Sequence, residues 1–154
     1  MKKTVITYGT FDMFHIGHLR LLQRLKDYGE KIIVGVSTDE FNEKKGKKCI
    51  IPYKDRAEII ENIIGVDMVI PEKEWSQKVI DIKNYNVDCF IMGDDWSGKF
   101  DELKSYCEVI YLPRTTGIST TSLKSSLSIT SPELKKDIDK AFILIESIRK
   151  NLTY

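Results

Sequence analysis

The sequence predicts an α/β domain in which a parallel, five-stranded sheet carries helices on both faces, as in doubly wound Rossmann-like folds. Short apolar runs alternate along the chain with segments of helical periodicity, which is typical of strands that are buried on both sides. The chain has 154 residues, enough to bury one sizeable core without dividing. The alternation and the length together favour a single compact domain.

The predicted strands are the short apolar runs, and a helix follows the first of them. Leucines spaced three apart give this helix an inward stripe, and Gly29 follows its end. A second helix is predicted over residues 57–64 and stops at Gly65, and a third lies around residues 79–82. The strands are expected at residues 4–7, 31–36, 68–70, 89–92 and 109–112.

Both histidines of the chain follow the first strand, in the segment His15-Ile16-Gly17-His18. At a helix start, side chains three apart share one face, and the glycine between them lets a phosphate approach the backbone. The first-turn N–H groups add the positive end of the helix dipole. Imidazoles can donate hydrogen bonds to the charge that develops on a transferring phosphoryl group. The segment therefore predicts a phosphate site, with an ordinary helix start as the alternative.

Two further polar blocks follow later strands. The sequence MGDDW at residues 92–96 comes at the end of the fourth strand, and RTTGISTT at residues 114–121 follows the fifth. Ligands of open parallel sheets bind at the carboxyl ends of the strands, where the strand order reverses. We therefore expect the histidine block and these two blocks to converge on one rim of the sheet.

These blocks carry a family resemblance. The sequence YGTFD at residues 8–12, followed by H-x-G-H at residues 15–18, resembles the nucleotidyltransferase superfamily and, within it, the cytidylyltransferase branch. The block at residues 114–121 is similar to a second signature of that branch, R-T-x-G-I-S-T-T, and the block at residues 92–96 lies between the two. The resemblance covers roughly the first 127 residues.

The resemblance implies a reaction. It is strongest to the members that act on glycerol 3-phosphate, and it implies transfer of a cytidylyl group from CTP to that acceptor, giving CDP-glycerol and pyrophosphate for teichoic-acid-like or capsular polymers. The acceptor phosphate would attack the α-phosphorus in line, with Mg²⁺ bound mainly through the nucleotide phosphates. Alternatives are another acceptor (a polyol phosphate, phosphoethanolamine or phosphocholine), a non-catalytic CTP-binding module, or an RNA-binding domain.

The resemblance, together with side-chain chemistry, assigns candidate site residues by role. The catalytic candidates are His15, His18, Arg114 and Asp12. The nucleotide-binding candidates are Thr10, Phe11, His15, His18, Lys47, Asp95, Arg114, Thr115, Gly117, Ile118, Ser119, Thr120 and Thr121. The acceptor-binding candidates are Lys45, Arg56, Trp75, Lys78 and Asp95. No residue is assigned as a metal ligand of its own, although Asp12 is a candidate to orient a histidine or to help hold Mg²⁺.

Several of these residues have simpler interpretations. Asp12 can be a plain strand-end aspartate, and the basic run at residues 44–48 can be a solvated loop. Arg56 can be a helix-surface arginine in an ion pair, and Trp75 can be a core residue. The two carboxylates of the MGDDW block can bind metal, although hydrogen bonds from an exocyclic amine or from hydroxyls suit them better.

Composition excludes some classes of protein. The chain has 24 basic and 23 acidic residues, so its net charge of +1 gives no bulk reason to expect nucleic-acid binding. No apolar run approaches the roughly 20 residues that span a bilayer, and the amino terminus opens into a strand without a signal-peptide pattern. The expectation is a cytoplasmic protein. Its three cysteines lack C-x-x-C spacing, which favours reduced thiols.

Residues 128–154 are predicted to form a separate helical extension. Ser131 and Pro132 are typical of a helix start. Its apolar positions form one stripe that must be buried against the domain or a second subunit, because the polar face mixes both charges. Family members are similarly dimeric, so the resemblance implies a homodimer. The stripe consists of Leu134, Ile138, Ala141, Phe142, Ile145 and Ile148.

Overall fold

The computed structural model of the protein describes residues 2–127 and 132–151, and it confirms the predicted fold class. The strands are β1 (Thr4–Gly9), β2 (Lys31–Ser37), β3 (Met68–Glu72), β4 (Cys89–Gly93) and β5 (Glu108–Leu112). They form one parallel sheet in the order β3-β2-β1-β4-β5. Because the order reverses at β1, the crevice between the carboxyl ends of β1 and β4 is where ligands of such sheets bind.

Helices cover both faces of this sheet. They are α1 (Ile16–Leu25), α2 (Asp39–Lys44), α3 (Tyr53–Glu61) and α4 (Gln77–Asn84), with 3₁₀ turns at Asp94–Trp96 and Asp101–Ser105. Two more helices follow β5 in the chain, α5 (Thr120–Leu127) and α6 (Pro132–Asn151). Helix α2 has six residues, too few to show an apolar period. Thr38 begins it, since its hydroxyl accepts the Phe41 N–H at 3.2 Å.

The core lies on the two faces of the sheet. Neighbouring strand residues point to opposite faces, so Val5 and Ile6 belong to two different clusters, as do Ile91 and Phe90. All four side chains are fully buried. Packing on both faces leaves the carboxyl edge of the sheet as the place where polar side chains can gather.

The chain divides into two compact units, Met1–Ile118 and Ser119–Tyr154. The second unit contains α5 and α6. Within α6, the apolar side chains described between residues 136 and 145 are exposed, with Phe142 at 64%. In the part of the chain that the structure describes, no helix is long and apolar enough to cross a membrane. The predicted division after residue 127 stays a prediction, and Leu134 and Ile148 lie outside the described side chains.

Candidate active site

The two histidines cap the amino-terminal end of α1. His15 is the N-cap residue, and its Nδ1 accepts the Gly17 N–H at 3.0 Å. In return, Nδ1 of His18 accepts the backbone N–H of His15 at 3.3 Å. This is a capping box in which imidazoles take the places of the usual hydroxyl and carboxylate. In a neutral imidazole whose Nδ1 accepts, the proton lies on Nε2, the atom that can donate to a phosphate oxygen.

The surroundings keep both rings neutral. The pKa of His18 is lowered to about 4, chiefly by burial and also by the nearby His15 and Arg114, while Asp12 opposes the shift. Burial and Arg114 also lower the pKa of His15. The two imidazoles stack with centroids 3.8 Å apart, and Phe11 meets the His18 ring edge-on at 5.4 Å. The rings are therefore fixed hydrogen-bond donors over the whole neutral pH range.

Residues Thr10 and Phe11 make the turn between β1 and α1. Phe11 has a positive φ of 53°, and a Cβ at Gly9 would lie 2.8 Å from its ring, so glycine is required there. The Thr10 hydroxyl donates to the Asn42 amide oxygen at 2.9 Å. The structure thus places both residues at the rim, with their described side-chain contacts inside the protein. Their contact with a nucleotide stays a prediction.

Asp12 binds the loop at residues 50–51 through hydrogen bonds, next to the histidine segment. Its carboxylate is buried and accepts the backbone N–H groups of Ile50 and Ile51, both at 2.9 Å. It also favours the charged form of His18 electrostatically. These contacts hold the segment after the basic run against the site, and a role toward Mg²⁺ stays a prediction.

Arg56 connects the ends of two strands to the same loop. Only 1% of the residue is exposed. Its guanidinium donates to the carbonyl oxygens of Thr10 at 2.6 Å, Ser37 at 2.8 Å and Ile51 at 2.8 Å, and to the Asp39 carboxylate at 2.6 Å. The arginine is therefore not on the helix surface. Its hydrogen bonds hold together the segments that form the rim. A direct contact of Arg56 with the acceptor stays a prediction.

The predicted acceptor residues Lys45 and Lys78 share a buried carboxylate, Glu72. The Lys78 ammonium lies 2.5 Å from one Glu72 oxygen. The Ser37 hydroxyl donates to the other oxygen at 2.5 Å and accepts from Lys45 at 2.9 Å. The sequence reasoning missed both Glu72 and Ser37. They are the last residues of β3 and β2, so the rule that parallel strands present ligands at their carboxyl ends would have found them.

An aromatic cluster stands beside these lysines. Trp75 is 46% exposed, and its ring lies 5.2 Å from that of Phe41 and 5.7 Å from that of Trp96. The ammonium groups approach these rings, with Lys45 at 4.3 Å from Phe41 and Lys78 at 4.8 Å from Trp75. Trp75 is thus a half-exposed member of the cluster and not a core residue, and its contact with the acceptor stays a prediction. The rings already hold cations, so this side of the site suits an anion.

The MGDDW block and the first residues of the RTTGISTT block lie close to each other. Asp95 lies 3.9 Å from the Arg114 guanidinium, and both side chains are exposed. A Cβ at Gly17 would lie 3.3 Å from Ile118, so Ile118 lies beside the first turn of α1. Gly117 has φ +83°, which favours glycine. Lys47 is exposed, with its ammonium 5.8 Å from the Trp96 ring.

The predicted phosphate residues Ser119, Thr120 and Thr121 belong to the second unit. Ser119 caps α5, because its hydroxyl accepts the Ser122 N–H at 3.0 Å. The Ser122 hydroxyl accepts the Ser119 N–H at 3.2 Å in return. The cap explains why serine suits this position, and binding of nucleotide phosphates by these residues stays a prediction.

The donors of the site suit anions. Neutral imidazoles, a guanidinium and ammonium groups present N–H bonds to phosphate oxygens. Among residues 2–127 and 132–151, no group of three or more histidine, cysteine, aspartate or glutamate side chains forms a metal site.

Comparison with known proteins identifies the family. The model of the cytidylyltransferase-like family matches residues 6–141. The chain is 59% identical over 126 residues to glycerol-3-phosphate cytidylyltransferase of Bacillus spizizenii, covering 82% of this chain and 98% of the relative. It is 54% identical to the protein of that name from Staphylococcus aureus, over 81% of this chain and 95% of the relative.

A solved structure shares the fold at low sequence identity. The crystal structure of the lipopolysaccharide core biosynthesis protein from Thermoplasma volcanium superposes with a TM-score of 0.68 at 23% identity, over 75% of this chain and 99% of the other. Three observations indicate the same family: the strand order, the histidine capping box where the strand order reverses, and the match to the family model. The chain belongs to the cytidylyltransferase-like family of nucleotidyltransferases.

Proposed function

We propose that the protein transfers the cytidylyl group of CTP to glycerol 3-phosphate, releasing pyrophosphate and forming CDP-glycerol. The observation that carries this proposal is the histidine capping box, which leaves two neutral imidazoles with their protons on Nε2 close to the Arg114 guanidinium. Relatives with this activity in their names match the chain at 54% and 59% identity. The use of CDP-glycerol in teichoic-acid-like or capsular polymers is implied by the resemblance.

The reaction needs no general base. An oxygen of the acceptor phosphate forms a bond to the α-phosphorus, and the bond from that phosphorus to the pyrophosphate oxygen breaks. The nucleophile is already an anion, so no proton has to be removed. His18, with His15 beside it, donates to the charge that grows on the reacting phosphoryl oxygens, and Arg114 offers a bidentate fork. Because the rings are held by the capping box, these donors are in place before the reaction.

The acceptor side favours a phosphorylated polyol. Lys45 supplies a cation for the acceptor phosphate, and the Trp75 ring forms an apolar wall. Phosphocholine also carries a quaternary ammonium, which favours aromatic faces. Here the lysine ammonium groups already lie against the rings and would repel it. The exposed Asp95 carboxylate can accept hydrogen bonds from polyol hydroxyls or from the cytosine amine.

The proposed reaction includes Mg²⁺, which would bind mainly to the phosphates of the nucleotide. When bound to the triphosphate, it supplies neutralisation of the phosphate charge. The chain's own contribution is to bind and orient the phosphates with His15, His18 and Arg114. The predicted cytoplasmic location stays a prediction.

An assay of pyrophosphate release tests the proposed function. We expect release when the pure protein is incubated with CTP, Mg²⁺ and glycerol 3-phosphate, and none when either substrate is omitted. Phosphocholine, phosphoethanolamine and a second polyol phosphate are tested as alternative acceptors, and ATP as an alternative donor. Preference for ATP, or reaction with phosphocholine while glycerol 3-phosphate is ignored, would contradict the assignment. Calorimetric binding of CTP without release from any acceptor would indicate a binding module.

Helix α6 is proposed to mediate homodimer formation. Its apolar side chains Ile138, Phe142 and Ile145 share one face and are exposed. The 126 residues that match the Bacillus spizizenii relative cover 98% of it, so the catalytic unit fits into a chain without this helix.

Ending the chain after Ser128 tests this role. We expect the shortened protein to dissociate and to keep its turnover per folded subunit, because the described site residues precede the cut. Burial of an apolar stripe stabilises by several kcal/mol, so a lower melting temperature is also expected. Light scattering and kinetics measure both. A folded, shortened protein of unchanged mass whose turnover has collapsed would show that α6 serves catalysis.

A further inference from the structure

The buried carboxylate of Glu72 lies between two ammonium groups. One oxygen contacts Lys78 at 2.5 Å, and the other accepts from Ser37 at 2.5 Å and lies 3.9 Å from Lys45. Side-chain exposure is 4% for Glu72, 3% for Lys78 and 10% for Lys45. A buried carboxylate is costly unless it is paired, and one lysine would suffice to pair it. The second lysine therefore leaves the cluster with a net positive charge inside the protein.

The two lysines are held differently. Lys78 pairs directly with Glu72 and is enclosed by the rings of Tyr8, Trp75 and Phe100 at 4.6, 4.8 and 5.5 Å from its ammonium. Lys45 reaches the carboxylate through the Ser37 hydroxyl, and it is the more exposed of the two. The uncompensated charge thus belongs to Lys45. A largely buried positive charge of this kind favours binding of an anion beside it, and the proposed function supplies the acceptor phosphate.

We propose that Glu72 is a positioning residue for the acceptor site: through Ser37 it holds Lys45 as a fixed cation for the acceptor phosphate, while Lys78 compensates its own charge. This inference rests on the proposed function and deepens it. It assigns affinity for the acceptor, and not for the nucleotide, to a carboxylate that touches neither substrate.

The charges around Lys45 give the proposal a pH signature. The pKa of Lys45 is lowered to about 8, chiefly by burial and also by Lys47 and Lys78, while Glu72 and Cys49 oppose the shift. Lys45 is therefore cationic below about pH 8 and loses its charge above it. Since the kcat/KM for the acceptor reports the free enzyme, it should fall above this pH. Removing the Glu72 charge should move the fall to lower pH.

Glu72→Gln keeps the size of the side chain and removes its charge. We expect the KM for glycerol 3-phosphate near neutral pH to rise about tenfold or more, and the KM for CTP to change by less than about threefold. Lowering the pH should restore part of the acceptor affinity. Glu74→Gln, two residues along the chain and exposed, is the matched control and should leave both KM values unchanged.

Two further measurements keep the test decisive. Ser37→Ala removes the bridging hydroxyl but leaves the Lys78 pair, so it should raise the acceptor KM in the same direction even where Glu72→Gln fails to fold. Competitive labelling with trace acetic anhydride, read by peptide mass spectrometry across pH, measures the pKa of Lys45 without any turnover. We expect it to fall in Glu72→Gln.

The outcomes separate the two proposals. Equal rises in the KM values for acceptor and CTP, or an unchanged Lys45 pKa in Glu72→Gln, would overturn the role of Glu72 and leave it as a structural partner of Lys78. A native protein that ignores glycerol 3-phosphate would overturn the proposed function. In that case the labelling experiment still decides whether Glu72 controls Lys45.

Discussion

His18→Ala should lower kcat by about 10²-fold or more while the affinity for CTP changes far less. A neutral imidazole held with its Nε2 proton toward the phosphates acts mainly on charge that develops in the transition state. Its loss therefore appears in turnover and not in ground-state binding. Steady-state kinetics beside titration calorimetry with CTP measure the two effects. Equal losses in binding and turnover, or no loss in turnover, would remove His18 from this role.

Two more substitutions separate catalysis from capping. His18 also accepts the backbone N–H of His15 and so stabilises the first turn of α1. In His18→Asn the amide can take over this capping contact but cannot reach the position of Nε2. In His18→Gln the longer amide can donate near that position. We expect asparagine to restore thermal stability without turnover, and glutamine to restore part of kcat. Turnover that recovers with asparagine would show that capping alone matters.

Arg56→Ala should lower the free energy of unfolding by about 3–5 kcal/mol, since it removes a buried donor from three carbonyl oxygens and the guanidinium from Asp39. The Ser37 carbonyl then keeps the Asn42 amide, and Asp39 keeps the Tyr53 N–H. The carbonyls belong to Thr10, Ser37 and Ile51, which lie at the ends of β1 and β2 and in the loop before α3. Because these segments form the rim, activity should fall with the stability. Urea denaturation measures the change.

An exposed arginine provides the control. Arg20→Ala on α1 should change the free energy of unfolding by no more than about 0.5 kcal/mol. If Arg56→Ala instead kept its stability and lost only affinity for glycerol 3-phosphate, Arg56 would be a direct acceptor contact, as the family resemblance implies.

The fold and the position of the site follow from local sequence. Strand and helix periods are set by neighbouring residues, so the apolar runs located all five strands, and the polar blocks after β1, β4 and β5 located the rim. The H-x-G-H spacing placed two donors on one helix face for the same reason. Helix α2 was not predicted, because its six residues show no clear apolar period.

The tertiary structure decided which polar residues can meet a ligand and which brace those that do. Arg56 contacts Thr10 across 46 positions of the chain, and Glu72 contacts Ser37 across 35. No local pattern encodes such pairs, because they form only when distant strand ends are brought together. The same holds for charge, since burial and neighbouring groups set the pKa values of His18 and Lys45. The sequence by itself determined the fold and the chemistry of the rim, and packing determined how the charges there are held.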